Sequence, residues 1–160
     1  MSEKNEIKTD PHDDTKSKKL ERIKLLFVDD EKNFVNVISK RLFKRNIDVF
    51  KAYSGSMALQ ALREAKFDVA VLDLKMEDMD GIEVLKILKK MAPNIAVIML
   101  TGHGSARAAR EGIQFGALDY LTKPCDFEEL VDKINEAYQS RAQKKQCIKK
   151  LNSEGDTICF

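Results

Sequence analysis

The sequence predicts an α/β fold, a five-stranded parallel sheet with helices on both faces, and three observations carry that prediction. The runs Lys24-Leu-Leu-Phe-Val28, Val69-Ala-Val-Leu72 and Ile95-Ala-Val-Ile-Met-Leu100 are nearly continuously apolar, as strands covered on both faces must be. Segments with apolar residues at helical spacing separate the runs, so strand and helix alternate. Right-handed crossovers between successive parallel strands then place helices on both faces of one sheet.

The elements follow in order. The first regular strand ends at Val28, and Phe34, Val37, Ile38 and Leu42 predict a helix over 32–44. Residues 47–52 read as a second strand. Ser54 is an N-cap for a helix to about residue 65 that carries Met57, Leu59, Ala61 and Leu62. A third strand spans 68–72, and the loop Lys75-Met-Glu-Asp-Met-Asp-Gly81 leads into a helix over 82–91, ended by Pro93. After the strand 95–100, Thr101-Gly-His-Gly-Ser105 turns into an alanine-rich helix that stops at Gly116. Residues 118–121 form the fifth strand. Asp126 caps the last helix, whose apolar face is Phe127, Leu130, Val131, Ile134 and Ala137. That helix is free to continue past Arg141, with Asn152-Ser-Glu-Gly-Asp as its stop.

Composition sets the class. The 160 residues are 43% apolar and 34% charged, enough for one domain with a real hydrophobic core. A net charge of +2 does not by itself argue for nucleic acid. Residues 1–22 are polar, balanced in charge and without periodicity, and are expected to be a disordered lead-in. The regular pattern spans 23–138, and 139–160 is a basic helical extension and tail, with Lys144, Lys145, Lys149 and Lys150. No apolar run approaches the roughly 18 residues of a membrane span. Three cysteines without a CxxC pair fit a reduced, cytoplasmic setting.

Chemistry gathers where the strands end. Asp29 and Asp30 close the first apolar run, Asp73 closes the third, and Lys123 follows Tyr120-Leu-Thr and precedes Pro124. In a parallel sheet the carboxyl ends of the strands converge on one crevice, so these groups meet. Three carboxylates repel one another and need a cation, and oxygen ligands without His or Cys select Mg²⁺. Mg²⁺ beside a carboxylate suits phosphoryl chemistry, in which an aspartate takes the group as an acyl phosphate. Lys123 adds positive charge and Thr101 a hydroxyl.

With these residues the sequence resembles a response-regulator receiver domain of two-component signalling. The resemblance rests on Asp29-Asp30-Glu31, Val71-Leu-Asp-Leu-Lys-Met76 with Met79-Asp-Gly81, Leu100-Thr-Gly102 and Tyr120-Leu-Thr-Lys-Pro124, in order, over about residues 23–138. It implies a flavodoxin-like sheet in the order 2-1-3-4-5. It implies Asp73 as phosphoacceptor from a sensor histidine kinase or phosphotransfer protein. Mg²⁺ would be held by Asp29, Asp30, Asp73 and the carbonyl of Lys75. Lys123 would pair with Asp73 and then with the phosphoryl group, its bond to Pro124 being cis. Thr101 and Tyr120 would form the conformational switch, and the surface of the fourth helix, fifth strand and fifth helix would change. The implied partners are the kinase, a downstream protein target and, on phosphorylation, a second copy. With only about two dozen residues after Ala137, a stand-alone receiver without a DNA-binding domain is expected.

One departure is visible: Glu77 stands where the family often has proline, so the loop loses a rigid turn and gains a charge. Lys75 and His103 stand at positions that tune dephosphorylation in the family. Plainer readings compete. Asp29 or Asp30 caps a helix, Thr101 does the same, and Tyr120 is a partly buried aromatic with no switching role. Two alternative functions also stand, a non-phosphorylated binding module of the same fold and a Mg²⁺-dependent aspartyl-phosphate phosphatase of the haloacid dehalogenase type. The second wants a carboxylate where Lys75 is found.

Overall fold

The computed structural model describes residues 21–102 and 106–154. The lead-in, apart from Glu21 and Arg22, and His103 lie outside the described residues. Five strands and five helices alternate: β1 (Ile23–Val28), α1 (Lys32–Phe43), β2 (Ile47–Ala52), α2 (Gly55–Glu64), β3 (Val69–Asp73), α3 (Gly81–Met91), β4 (Ala96–Thr101), α4 (Ala106–Gln114), β5 (Asp119–Thr122) and α5 (Phe127–Glu154). The strands form one sheet in the order β2-β1-β3-β4-β5, every pair parallel.

Side chains of a strand alternate between faces, and here the alternation divides the core into two layers. Leu26, Val28, Ala70, Leu72, Val97 and Met99 pack with α2 and α3. Leu25, Phe27, Val69, Val71, Ile98 and Leu100 face the other way, against Val35 and Leu42 of α1 and Leu130, Val131 and Ile134 of α5. Every residue of β3 is buried, which is why its sequence shows no polar face.

Strand ends differ from the sequence reading in one consistent way. β3, β4 and β5 each run one residue past the apolar run, to Asp73, Thr101 and Thr122. Asp73 stays paired in register with Leu100, and Thr101 with Thr122. The polar site residues are therefore the last rungs of the ladder, held by backbone pairing.

The helix ends follow local chemistry. Ser54 accepts from Met57 N–H at 3.1 Å and caps α2, and Asp80 accepts from Ile82 N–H at 2.8 Å and caps α3. α4 ends in paired bonds from Gly116 N–H to Ile113 O and from Ala117 N–H to Gly112 O. Those two bonds define a Schellman motif, and Gly116 takes its left-handed position at φ 101°. α5 runs to Glu154, within the segment Asn152-Ser-Glu-Gly-Asp expected to stop it. Cys125 is a free thiol.

Candidate functional site

The carboxyl ends of β1, β3, β4 and β5 bring the predicted residues to one crevice. Asp29, Asp30 and Asp73 each place a carboxylate oxygen within 4.8 Å of the other two. Asp29 is wholly buried and Asp73 is 7% exposed. Neither Asp29 nor Asp30 is the cap of α1, whose N-cap residue is Glu31 and makes no side-chain capping bond. Asp29 accepts instead from Glu31 N–H at 3.0 Å, and Asp30 from Glu77 N–H at 3.3 Å. The second bond is one that proline at position 77 could not make.

Burial and the adjacent Asp29 charge push the Asp73 carboxyl up to about 6, with Lys123 and the Lys75 N–H opposing and Asp30 adding to the rise. Charge accumulation at this point is therefore unfavourable until a cation arrives. An all-oxygen donor set of three clustered carboxylates fits Mg²⁺ rather than a softer ion.

Lys123 is placed by β5 and by a cis peptide bond to Pro124. Its side chain is 13% exposed and its Nζ bonds Asp29, with Glu31 Oε1 at 3.6 Å and the Phe34 ring centroid at 4.7 Å. The expected partner was Asp73. In the structure Asp73 acts on the ammonium through its charge, and the hydrogen bond goes to Asp29. Burial lowers the Lys123 pKa, but the Asp29 bond and the charges of Asp73, Asp29 and Glu31 outweigh it and raise it.

Thr101 is buried at the tip of β4, and its backbone carbonyl accepts from Lys123 N–H at 2.7 Å. Tyr120, two residues into β5, is 44% exposed and lies on the outside of the fold. Met76 and Met79 pack under the loop against the α2–α3 core layer.

That loop carries a residue the sequence reading passed over. Asp78 accepts from Gly55 N–H at 3.1 Å, Ser56 N–H at 3.1 Å and Ser56 Oγ at 2.9 Å. It thereby clamps the β3–α3 loop to the first turn of α2. Those N–H groups, Ser56 first, hold its carboxyl below the usual range. An acidic residue 23 positions from its partners leaves no local signal. Gly81 closes the loop: a Cβ there would stand 2.2 Å from the Asp73 carbonyl oxygen, so only glycine fits.

The profile of the response regulator receiver domain matches residues 25–135. The chain belongs to this family. As a receiver domain it is a module of two-component signalling. The transcriptional regulatory protein ZraR of Klebsiella oxytoca is 38% identical over 117 residues, which cover 73% of this chain and 26% of that protein. The chain thus spans about a quarter of the length of that relative. Sporulation initiation phosphotransferase F of Bacillus subtilis is 34% identical over 111 residues, 69% of this chain and 90% of that protein. Among solved structures, a CheY-like response regulator receiver domain protein from Methanospirillum hungatei JF-1 superposes with a TM-score of 0.74 at 27% identity, covering 77% of this chain and 98% of the other. Among the described residues no helix is long and apolar enough to cross a membrane.

Proposed function

We propose that Asp73 accepts a phosphoryl group from a phosphohistidine of a sensor kinase or phosphotransfer protein. A carboxylate oxygen of Asp73 forms the new P–O bond, the P–N bond breaks, and the imidazole leaves with the electron pair. The observation that carries this reading is the meeting of three carboxylate oxygens within 4.8 Å beside a buried lysine. Mg²⁺ would be held by Asp29, Asp30, Asp73 and the Lys75 carbonyl, and when bound it would neutralise the charge on the transferred group. Lys123 and Thr101 would then bind the phosphoryl oxygens, and Tyr120 would answer their movement.

On this reading the chain is an acceptor and switch rather than a turnover enzyme. It acts in the cytoplasm through protein contacts, with 23–138 as the receiver unit and 139–160 as an attachment to it. Neither alternative is favoured. A binding module without phosphorylation has no need of the acidic pair, the acceptor and the lysine together, and a phosphatase lacks its second carboxylate at Lys75. The test is intact mass after incubation with Mg²⁺ and a small phosphodonor, beside Asp73→Asn. One phosphoryl group gained, dependent on Mg²⁺ and absent in the variant, is expected. Phosphorylation that persists in Asp73→Asn would overturn the assignment.

A further inference from the structure

At the end of the sheet opposite the carboxylates, the chain entering β4 and β5 and the α5 extension wall a cavity of about 280 Å³. Its charged lining is Lys89, Arg141, Lys144 and Lys145, and no carboxylate lines it. The chain as a whole carries only +2, so this is a local separation of charge.

Three of the four cations have no carboxylate partner among the described residues, and the fourth, Arg141, is paired to Asp68. Lys89 Nζ donates to the carbonyls of Pro93 and Ile95, both at 2.9 Å, which fixes the ammonium at the wall and leaves its third N–H. Arg141 gives Nη1 to Asp68 at 2.7 Å, while its Nε is buried without an acceptor among the described residues. Among the described residues no carboxylate pairs with Lys89, Lys144 or Lys145. Burial, and then the charge of Lys144, hold the Lys89 ammonium below its ordinary pKa. A cluster of this kind is stabilised by an anion.

We propose that this cavity binds a small phosphate-class oxyanion. The volume sets the size: it lies just under the roughly 300–1,000 Å³ of pockets for drug-sized ligands, yet holds several times the ~30 Å³ share of a water molecule. The lining sets the chemistry, since lysine ammoniums bind phosphate as point charges and Asn94 and Ser140 add neutral partners. Ala96 of the cavity wall and Thr101 stand at opposite ends of β4, five steps apart or roughly 17 Å at ~3.3 Å per residue. The ligand is therefore distinct from a phosphoryl group on Asp73, and its binding does not depend on that reading. An anion here would tie the α5 extension to the loops before β4 and β5.

The test titrates pyrophosphate into the full chain in low-salt buffer with EDTA, followed by amide shifts. Expected is saturable submillimolar binding, with shifts gathered at residues 94–96, 116–118 and 140–145. Lys144→Gln with Lys145→Gln, both exposed positions whose loss leaves the core intact, should weaken binding by about tenfold. Lys149→Gln, the same charge change outside the cavity lining, should leave it nearly unchanged. Equal losses in both variants would reduce the effect to diffuse charge and overturn the proposal. Shifts centred on Asp29, Thr101 and Lys123 would overturn it too. So would binding to vesicles containing phosphatidate without any response to pyrophosphate, which would assign the surface to a membrane.

Discussion

Lys123 holds its ammonium on Asp29, one of the three clustered carboxylates, while Asp73 feels the same charge without taking the hydrogen bond. The lysine thus sits where a divalent ion would draw on Asp29. On the proposed function Mg²⁺ would draw on the carboxylate that holds Lys123, and the lysine would then be free to turn toward Asp73. Removing a positive charge a few ångströms from the ion is worth about 1 kcal/mol or more. Lys123→Ala is therefore expected to bind Mg²⁺ several-fold more tightly and yet respond less to phosphorylation. Calorimetric titration with MgCl₂ reads the first effect, and weaker binding in the variant would mean that the lysine assembles the cluster rather than competing for it.

Asp73 should cost the metal-free protein stability at neutral pH. Its folded pKa of about 6 exceeds the ordinary 3.8, so the folded state favours the protonated carboxyl. The associated stability is complete below pH 3.8 and is lost as pH rises through about 6. Asp73→Asn, which cannot ionise, should accordingly be more stable than the parent above pH 6, by up to about 3 kcal/mol. The advantage should shrink to nothing toward pH 3.8. Urea melts in EDTA at a series of pH values measure it, and a gain that is flat across the range would exclude this cause.

How much of this was legible in the sequence depends on the residue. β1, β3 and β4 announce themselves because both their faces are covered, and Asp29, Asp73 and Thr101 are visible because each breaks an apolar run. Backbone topology alone delivers them to one place. The partner of Lys123 was not legible, since Asp29, Asp30 and Asp73 are chemically alike and only side-chain packing chooses among them. Asp78 was invisible because Ser54 already accounted for the start of α2, and the second acceptor comes from a loop distant in sequence.

The Asp78 clamp makes its own prediction. The β3–α3 loop lacks proline at Glu77, and its hold on α2 runs through Asp78 to Gly55 and Ser56. Asp78→Ala removes a helix-capping acceptor, at a cost of about 1 kcal/mol. Its larger effect should be local. With the loop released, the bond from Glu77 N–H to Asp30 loosens and Mg²⁺ affinity falls, while Asp78→Asn, which keeps an acceptor oxygen, retains most of it. Amide exchange at residues 55–56 and 75–79, with Mg²⁺ titration of both variants, tests the link. Faster exchange without weaker Mg²⁺ binding would confine the clamp to α2.

Tyr120 is the residue at which the proposed switch can be read. It stands 44% exposed on β5 while Thr101, at the end of the neighbouring strand, is buried. If a phosphoryl group draws Thr101 and Lys123 toward it, Tyr120 gains room to turn inward. Moving the population from 1:99 to 99:1 takes about 5.5 kcal/mol. Charge-assisted hydrogen bonds at about 1.5–3 kcal/mol each supply that only when Lys123 and Thr101 both contribute. Loss of about 2 kcal/mol in Thr101→Ala would leave the active form at only about 3:1. With beryllofluoride and Mg²⁺, the fluorine signal of 3-fluorotyrosine at position 120 should lose solvent contact almost fully in the parent and only partly in Thr101→Ala. Tyr53, whose hydroxyl donates to Asn36 at 3.0 Å, should not change in either protein and serves as the internal reference. An unchanged Tyr120 signal in the parent would remove the tyrosine from the switch and leave the loops around Asp73 to carry it.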